Sequence, residues 1–243
     1  MKTTLITGGL GFIGSSICDL LLQKKYTNKC ILLDNFGGYM NPIKDSFIDF
    51  RKQRFPSLKN IIIERCDTSN YKALSSIISK YKPNYIYHTA ALPLAKVSNL
   101  NNDEAKISSV DSTVNIIDAI NLLKNSKQKY QFDRFVYFSS SMVYGDFKKS
   151  TVTEESEKNP KDAYGIMKLA GEVVTEGLCR LHNIPYTIIR PSAVYGPKDM
   201  NRRVSQIFIE NAFKKQKIFI QGKNEKLDFT YIKDLANGSI IAA

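Results

Sequence analysis

Six short apolar runs recur along the chain, "TTLIT", "CILLD", "NIIIERCD", "NYIYHTA", "RFVYFSS" and "YTIIRPS", and none alternates polar with apolar positions. Four stretches between them carry the longer helical spacing: "GFIGSSICDLLLQKK", "YKALSSIISKYK", "VDSTVNIIDAINLLKN" and "YGIMKLAGEVVTEGLCRLH". In the first, Ile13, Ile17, Leu20 and Leu21 fall on one face, because offsets of four, seven and eight share a side of a helix. Strands apolar on both faces and separated by such helices imply a parallel sheet covered on both sides. Right-handed crossovers make it doubly wound, so the expected fold class is α/β.

The run from Asn35 to Asn60 is a long excursion between the second and third strands, with a short helix expected around Ile43 to Arg54. After Gly196 the pattern changes to a helix, a short strand in "KIFIQG", a turn and another strand in "LDFTY", as in a smaller lobe. The chain stops inside a helical pattern without a cap, so further sequence is expected beyond it.

Composition then narrows the class. With 43% hydrophobic and 24% charged residues the chain reads as soluble and globular. No apolar run approaches the roughly 20 residues of a membrane span, and "MKTTLITGG" is no signal peptide. Cys18, Cys30, Cys66 and Cys179 are scattered without a CxxC pair, as expected of buried thiols in a reducing cytoplasm. The net charge of +12 comes from 27 Lys and 8 Arg spread along the chain. Clustered Arg forks, which read phosphates, are missing, so a nucleic-acid partner is not expected. The field would still favour an acidic small-molecule substrate.

Gly8, Gly11 and Gly14 follow the first strand and open the first helix. In that setting the first glycine permits a tight turn, the second lets backbone approach a pyrophosphate, and the third packs helix on strand. The phosphates would meet the helix N-terminal N–H groups. Glycines kept for packing are the plain alternative. Asp34 ends the second strand, where its carboxylate would accept from ribose hydroxyls and repel a 2′-phosphate, favouring NAD over NADP; a turn-capping aspartate is the alternative. Asp67 would meet the adenine edge or cap the following helix. Ala90 and Ala91, after the fourth strand, are small enough for a cofactor to lie close, whereas His88 reads as a packing residue.

Tyr164 and Lys168 stand four apart on one helical face, a pair that also arises by chance. The fifth strand ends in serines at the same sheet edge, where ligands bind in open α/β sheets. In this order TGGxGFIG, the serine before VYG, YxxxK, RPxxVYGP and "LDFTYIKD" resemble the extended short-chain dehydrogenase/reductases. More narrowly, the chain resembles the NAD-dependent epimerase/dehydratase family, which acts on nucleotide sugars. The resemblance implies a Rossmann domain over 1–190 and a partial substrate-binding lobe over 191–243, since known members run on further.

It also implies Ser140, Tyr164 and Lys168 as catalytic residues. The phenolate of Tyr164, favoured by Lys168, takes a proton from a sugar hydroxyl while the attached carbon passes hydride to NAD. Ser140 hydrogen-bonds the oxygen that becomes a carbonyl. The cofactor side comprises Gly8, Gly11, Phe12, Ile13, Gly14, Asp34, Asn35, Asp67, Thr68, Ala90, Ala91, Tyr164, Lys168 and, beside the nicotinamide, Pro191.

The 4,6-dehydratases carry Asp-Glu after the catalytic Ser/Thr, where this chain has Ser141 and Met142, so elimination is not expected. Redox without elimination remains: C4 epimerisation first, a nucleotide-sugar reductase or dehydrogenase second, and a non-catalytic NAD-binding protein as the third reading. Three substrate-side positions depart from the family pattern: Ser109 and Ala193 replace Asn, and Leu227 replaces the Arg that grips the diphosphate. Lys226, Arg202 or Arg203 would supply charge there, and Ser141 lies on the substrate side. By resemblance the chain forms a homodimer through helices near Ser109–Lys124 and Tyr164–Arg180, and serves surface polysaccharide synthesis.

Overall fold

The computed structural model describes residues 2–37, 55, 57–92, 101–127, 129–147, 151–199, 204–220, 222 and 226–243. The helix expected over 43–54 lies outside them, as do Arg202 and Arg203.

The six apolar runs form β1 (Thr3–Thr7), β2 (Lys29–Asp34), β3 (Ile61–Arg65), β4 (Tyr85–His88), β5 (Arg134–Phe138) and β6 (Tyr186–Ile189). They make one parallel sheet in the order β3-β2-β1-β4-β5-β6. The helices are α1 (Phe12–Gln23), α2 (Tyr71–Tyr81), α3 (Asn102–Lys106), α4 (Ser112–Lys124) and α5 (Ala163–Leu181).

Alternate strand residues face opposite layers, which is why the runs are apolar throughout. Leu5, Ile31, Leu33, Ile86, Phe135 and Tyr137 pack against Leu74, Ile78, Ile116, Ile120 and Cys179 of α2, α4 and α5. On the other face Ile6, Leu32, Tyr87, Val136 and Phe138 pack against Phe12, Ile17, Cys18 and Leu21 of α1. Ile13 and Leu20 sit only at the edge of that layer, so the buried stripe of α1 runs through Cys18. Strand order reverses between β1 and β4, and the crevice beyond their carboxyl ends is the place where an open α/β sheet takes a ligand.

Three elements differ from expectation. The third helical segment begins earlier, at Asn102, capped by Asn101 accepting from Glu104 N at 2.7 Å, and passes through a π turn at Ile107–Asp111 into α4. Lys217–Ile220 form no strand; Phe219 and Ile220 are exposed, and a strand needs a neighbour to satisfy its backbone. The last strand is two residues long, β8 (Thr230–Tyr231), parallel to β7 (Val194–Tyr195). Between them runs α6 (Val204–Phe213), and α7 (Ile232–Ile241) follows β8. α7 returns to the large sheet: Ile232, Leu235 and Ala236 join the α1 layer, and Arg134 Nε donates to Ala243 O at 2.9 Å. Among the described residues no helix is long and apolar enough to cross a membrane.

Candidate active site

The glycine turn closes on itself through Gly11 N donating to Gly8 O at 2.8 Å. Gly8 has φ +62, and a Cβ there would lie 2.9 Å from Ala90 Cα. A Cβ on Gly14 would lie 2.6 Å from Gly8 O. The turn is therefore a cradle that only glycine leaves open, and the small Ala90 forms its wall with Ala91 beside it. Gly11 caps α1, leaving the N–H groups of Phe12, Ile13 and Gly14 without intrahelical acceptors. The Phe12 ring itself is core, and the first turn of α1 has no acidic residue to compete with an anion. Gly9 was missed from sequence: a Cβ there would stand 2.7 Å from Leu32 Cβ, so it lets the turn press onto β2.

Asp34 is buried at the same edge. Its Oδ2 accepts from Leu10 N at 3.2 Å and its Oδ1 from Phe36 N at 2.9 Å, which fixes the carboxylate beside the turn. A carboxylate only accepts hydrogen bonds, so a ribose hydroxyl is a chemically matched donor for it. Asn35 Nδ2 donates to Asp67 Oδ2 at 3.0 Å, and Ser69 donates to Asp67 Oδ1 from its N and Oγ. Burial alone would raise the Asp67 pKa, but the hydrogen bonds from Asn35 and Ser69 hold it below the usual value. Asp67 does not cap α2; Asn70 does, accepting from Ala73 N at 3.1 Å. Thr68 is tied in through its carbonyl, which accepts from Asn115 Nδ2 at 3.0 Å.

Across the crevice, Asp162 caps α5 by accepting from Gly165 N at 2.7 Å, which sets Tyr164 in the first turn, half-buried. Lys168, one turn on, is 2% exposed. Its Nζ donates to Phe138 O at 2.7 Å, the last carbonyl of β5, and stands 5.1 Å from the Tyr137 ring centroid and 5.8 Å from that of Tyr164. Gly171 permits this approach, since a Cβ there would meet Tyr137 Oη at 2.1 Å. Burial pushes Lys168 down to about 7, opposed by the Glu172 carboxylate.

Two residues past Phe138, Ser140 caps a 3-10 turn (Ser141–Tyr144), its Oγ accepting from Met142 N at 3.2 Å. Ser141 N donates to Pro191 O at 3.0 Å, so Pro191 borders the same turn. His88 is a packing residue as expected, buried between Thr7 and Ser112 and stacked on Phe135. Ser140, Tyr164 and Lys168 thus gather at the end of β5, with β4 between them and the glycine turn. Lys226 is exposed in the segment before β8, and Leu227 beside it is 56% exposed.

Sequence reasoning also missed Glu172 and Arg190. Glu172 Oε1 and Oε2 accept from Arg190 Nε and Nη2, both at 2.8 Å, behind Lys168. The available signal was the spacing of Tyr164, Lys168 and Glu172, each four apart.

A family model described as "NAD dependent epimerase/dehydratase family" matches residues 4–243. A Methanocaldococcus jannaschii protein, named provisionally as a UDP-glucose 4-epimerase, is 32% identical over 244 residues, 98% of this chain and 72% of that one. A Dictyostelium discoideum dTDP-D-glucose 4,6-dehydratase is 26% identical over 250 residues, 98% of this chain and 54% of that one. The UDP-glucuronic acid 4-epimerase of Bacillus cereus, solved with UDP-glucuronic acid and NAD, superposes with a TM-score of 0.82 at 27% identity, covering 99% of this chain and 72% of that one.

Proposed function

We propose, for a chain that belongs to the NAD dependent epimerase/dehydratase family, that it interconverts C4 epimers of a nucleotide sugar through a transient 4-keto sugar, with NAD as cofactor. The cradle at Gly8 and Gly14, the first-turn N–H groups of α1, which have no acceptor within the helix, and the fixed Asp34 carboxylate support the cofactor. Gly8, Gly11, Phe12, Ile13 and Gly14 would hold its diphosphate, and Asp34 with Asn35 the adenosine ribose. Asp67 and Thr68 would face the adenine, Ala90 and Ala91 would lie along the dinucleotide, and Pro191 would border the nicotinamide. When bound, NAD supplies the oxidation and re-reduction at C4.

The observation that carries the reading is Lys168: its ammonium is buried, bonded to the carbonyl that leads into Ser140, and one turn from Tyr164. In that place it favours the Tyr164 phenolate, which takes the proton from the sugar O4 and later returns it. Ser140 donates to the same oxygen as it becomes a carbonyl. Ser141 and Met142 offer no carboxylate for proton transfer at C5 and C6, which separates the reading from dehydration. Ser141, Arg202 and Lys226 are assigned to the substrate side, Arg202 lying outside the described residues. The same reading pairs two copies through α4 and α5, where Leu122, Ile166, Val173 and Leu181 are exposed. Sedimentation of Val173→Asp should then give a monomer from a dimeric parent; a monomeric parent rejects the pairing.

The test of the chemistry is incubation with NAD and a panel of nucleotide sugars in deuterated water, read by proton NMR. A C4 epimer without ring deuterium is expected, and Tyr164→Phe should abolish it. Deuterium at C3 or C5, or a stable keto sugar, rejects the reading.

A further inference from the structure

Arg190 follows β6 directly and joins four segments with one guanidinium. Its Nε and Nη2 fork onto Glu172 of α5, both at 2.8 Å. Its Nη1 donates to Tyr144 Oη at 2.8 Å and to Glu154 O, in the loop before α5, at 3.2 Å. The guanidinium also lies 5.3 Å from the Tyr144 ring centroid. Tyr144 is the last residue of the 3-10 turn that Ser140 caps, and Glu172 lies one helical turn beyond Lys168.

The Glu172 side chain is 5% exposed and that of Arg190 16%. A buried ion pair gains little net stability over apolar residues of similar volume, because desolvation offsets the Coulomb attraction. Its geometry therefore matters more than its energy. The fork is planar and bidentate, so it fixes orientation as a single contact would not. One end is locked to the helix carrying Tyr164 and Lys168. The other reaches Tyr144 at the far end of the turn carrying Ser140, a second anchor beside the direct packing of that turn on α5, where a Cβ on Gly165 would stand 2.8 Å from Met142 O. Ser140 and Tyr164 must address the same substrate oxygen, and a misplacement of about 1 Å can cost as much as a hundredfold in rate.

We infer that Arg190, held by Glu172, is a clamp on Tyr144 that sets the Ser140 turn against the Tyr164 helix, making Arg190 and Tyr144 positioning residues that act through Ser140. The inference rests on the epimerase reading and deepens it.

Tyr144→Phe removes only the hydroxyl contact and keeps the ring packed, so it tests the clamp with the fold intact; Arg190→Lys keeps the charge but loses the fork. Two readouts apply. The first, independent of any substrate, is amide exchange at Ser141 and Met142, whose N–H groups bond to Pro191 O and Ser140 Oγ. Both variants should speed exchange there about tenfold and leave the β1 and β5 amides unchanged. The second is kcat. Tyr144→Phe should lower it about tenfold with KM and NAD affinity held, yet by no more than about twofold in a Ser140→Ala background, because the clamp has nothing left to position. Unchanged exchange at Ser141 and Met142 overturns the clamp, and so does an equal loss of kcat in both backgrounds. A parent inactive on every sugar rejects the epimerase reading instead, and the exchange measurement then decides the clamp by itself.

Discussion

A Cβ added to Gly8 would stand 2.9 Å from the Cα of Ala90, so the turn after β1 and the end of β4 meet backbone to backbone. Gly8 also holds φ +62, which an alanine adopts only with strain. Gly8→Ala should destabilise the protein by about 1–3 kcal/mol and lower NAD affinity more than tenfold, because opening the turn from Ala90 moves the phosphate cradle. Calorimetric titration with NAD beside a thermal melt checks this. Unchanged affinity would mean that the cradle does not hold the cofactor.

Lys168 carries a pH dependence whose sign follows from its burial. Its folded pKa falls to about 7, below the ordinary lysine value, through loss of water, with Glu172 opposing. Folding with the ammonium buried is thus penalised below the unfolded pKa; the penalty is full below about pH 7 and fades as pH rises from there toward the ordinary value. Lys168→Met should melt higher than the parent at pH 6, and the gap should narrow steadily between pH 7 and 10. A constant gap across that range rejects the assignment.

His88 lies between two hydroxyls, with Thr7 Oγ1 2.7 Å from Nδ1 and Ser112 Oγ 3.2 Å from Nε2. Ser112 Oγ donates to Ser108 O at 2.6 Å, so it accepts from His88, which makes the ring the Nε2–H tautomer. Burial, aided by the Lys168 ammonium, pushes the His88 pKa down to about 3. The chain has two histidines, so a His182 variant assigns the spectrum. Nitrogen-15 NMR should give Nε2–H shifts that stay constant from pH 8 to 5. A titration within that range would show that water reaches the ring.

Ala193 holds φ +32 while its carbonyl accepts from Thr230 N at 3.4 Å, tying β7 to β8. Asparagine tolerates the left-handed region better than alanine. Ala193→Asn should therefore stabilise by about 1 kcal/mol and raise Tm by about 2–4 °C. A lower Tm would show that the Asn side chain has no room there.

Much of this was legible locally. Thr3–Thr7, Phe12–Gln23 and Tyr71–Tyr81 lie where the apolar spacing puts them, because a strand or helix period depends on neighbours a few residues away. The glycine turn could be read for the same reason: a strand, three glycines and a helix are contiguous. Lys217–Ile220 had the pattern of a strand and formed none, since pattern alone supplies no partner ladder. The early start at Asn102 was signalled by Asn101 with Glu104 three residues on, a cap that the apolar period did not reveal.

What the sequence alone determined is the six strands of the large sheet, their parallel arrangement and the chemistry-bearing residues that match an ordered motif. Tertiary structure alone decided which of them touch. Arg190 reaches Glu172 across 18 positions and Tyr144 across 46, and Asp67 meets Asn35 across 32. No periodicity extends that far. Such meetings depend on how closely α5 settles on β5 and on which strand ends share an edge, and packing across the whole sheet sets both.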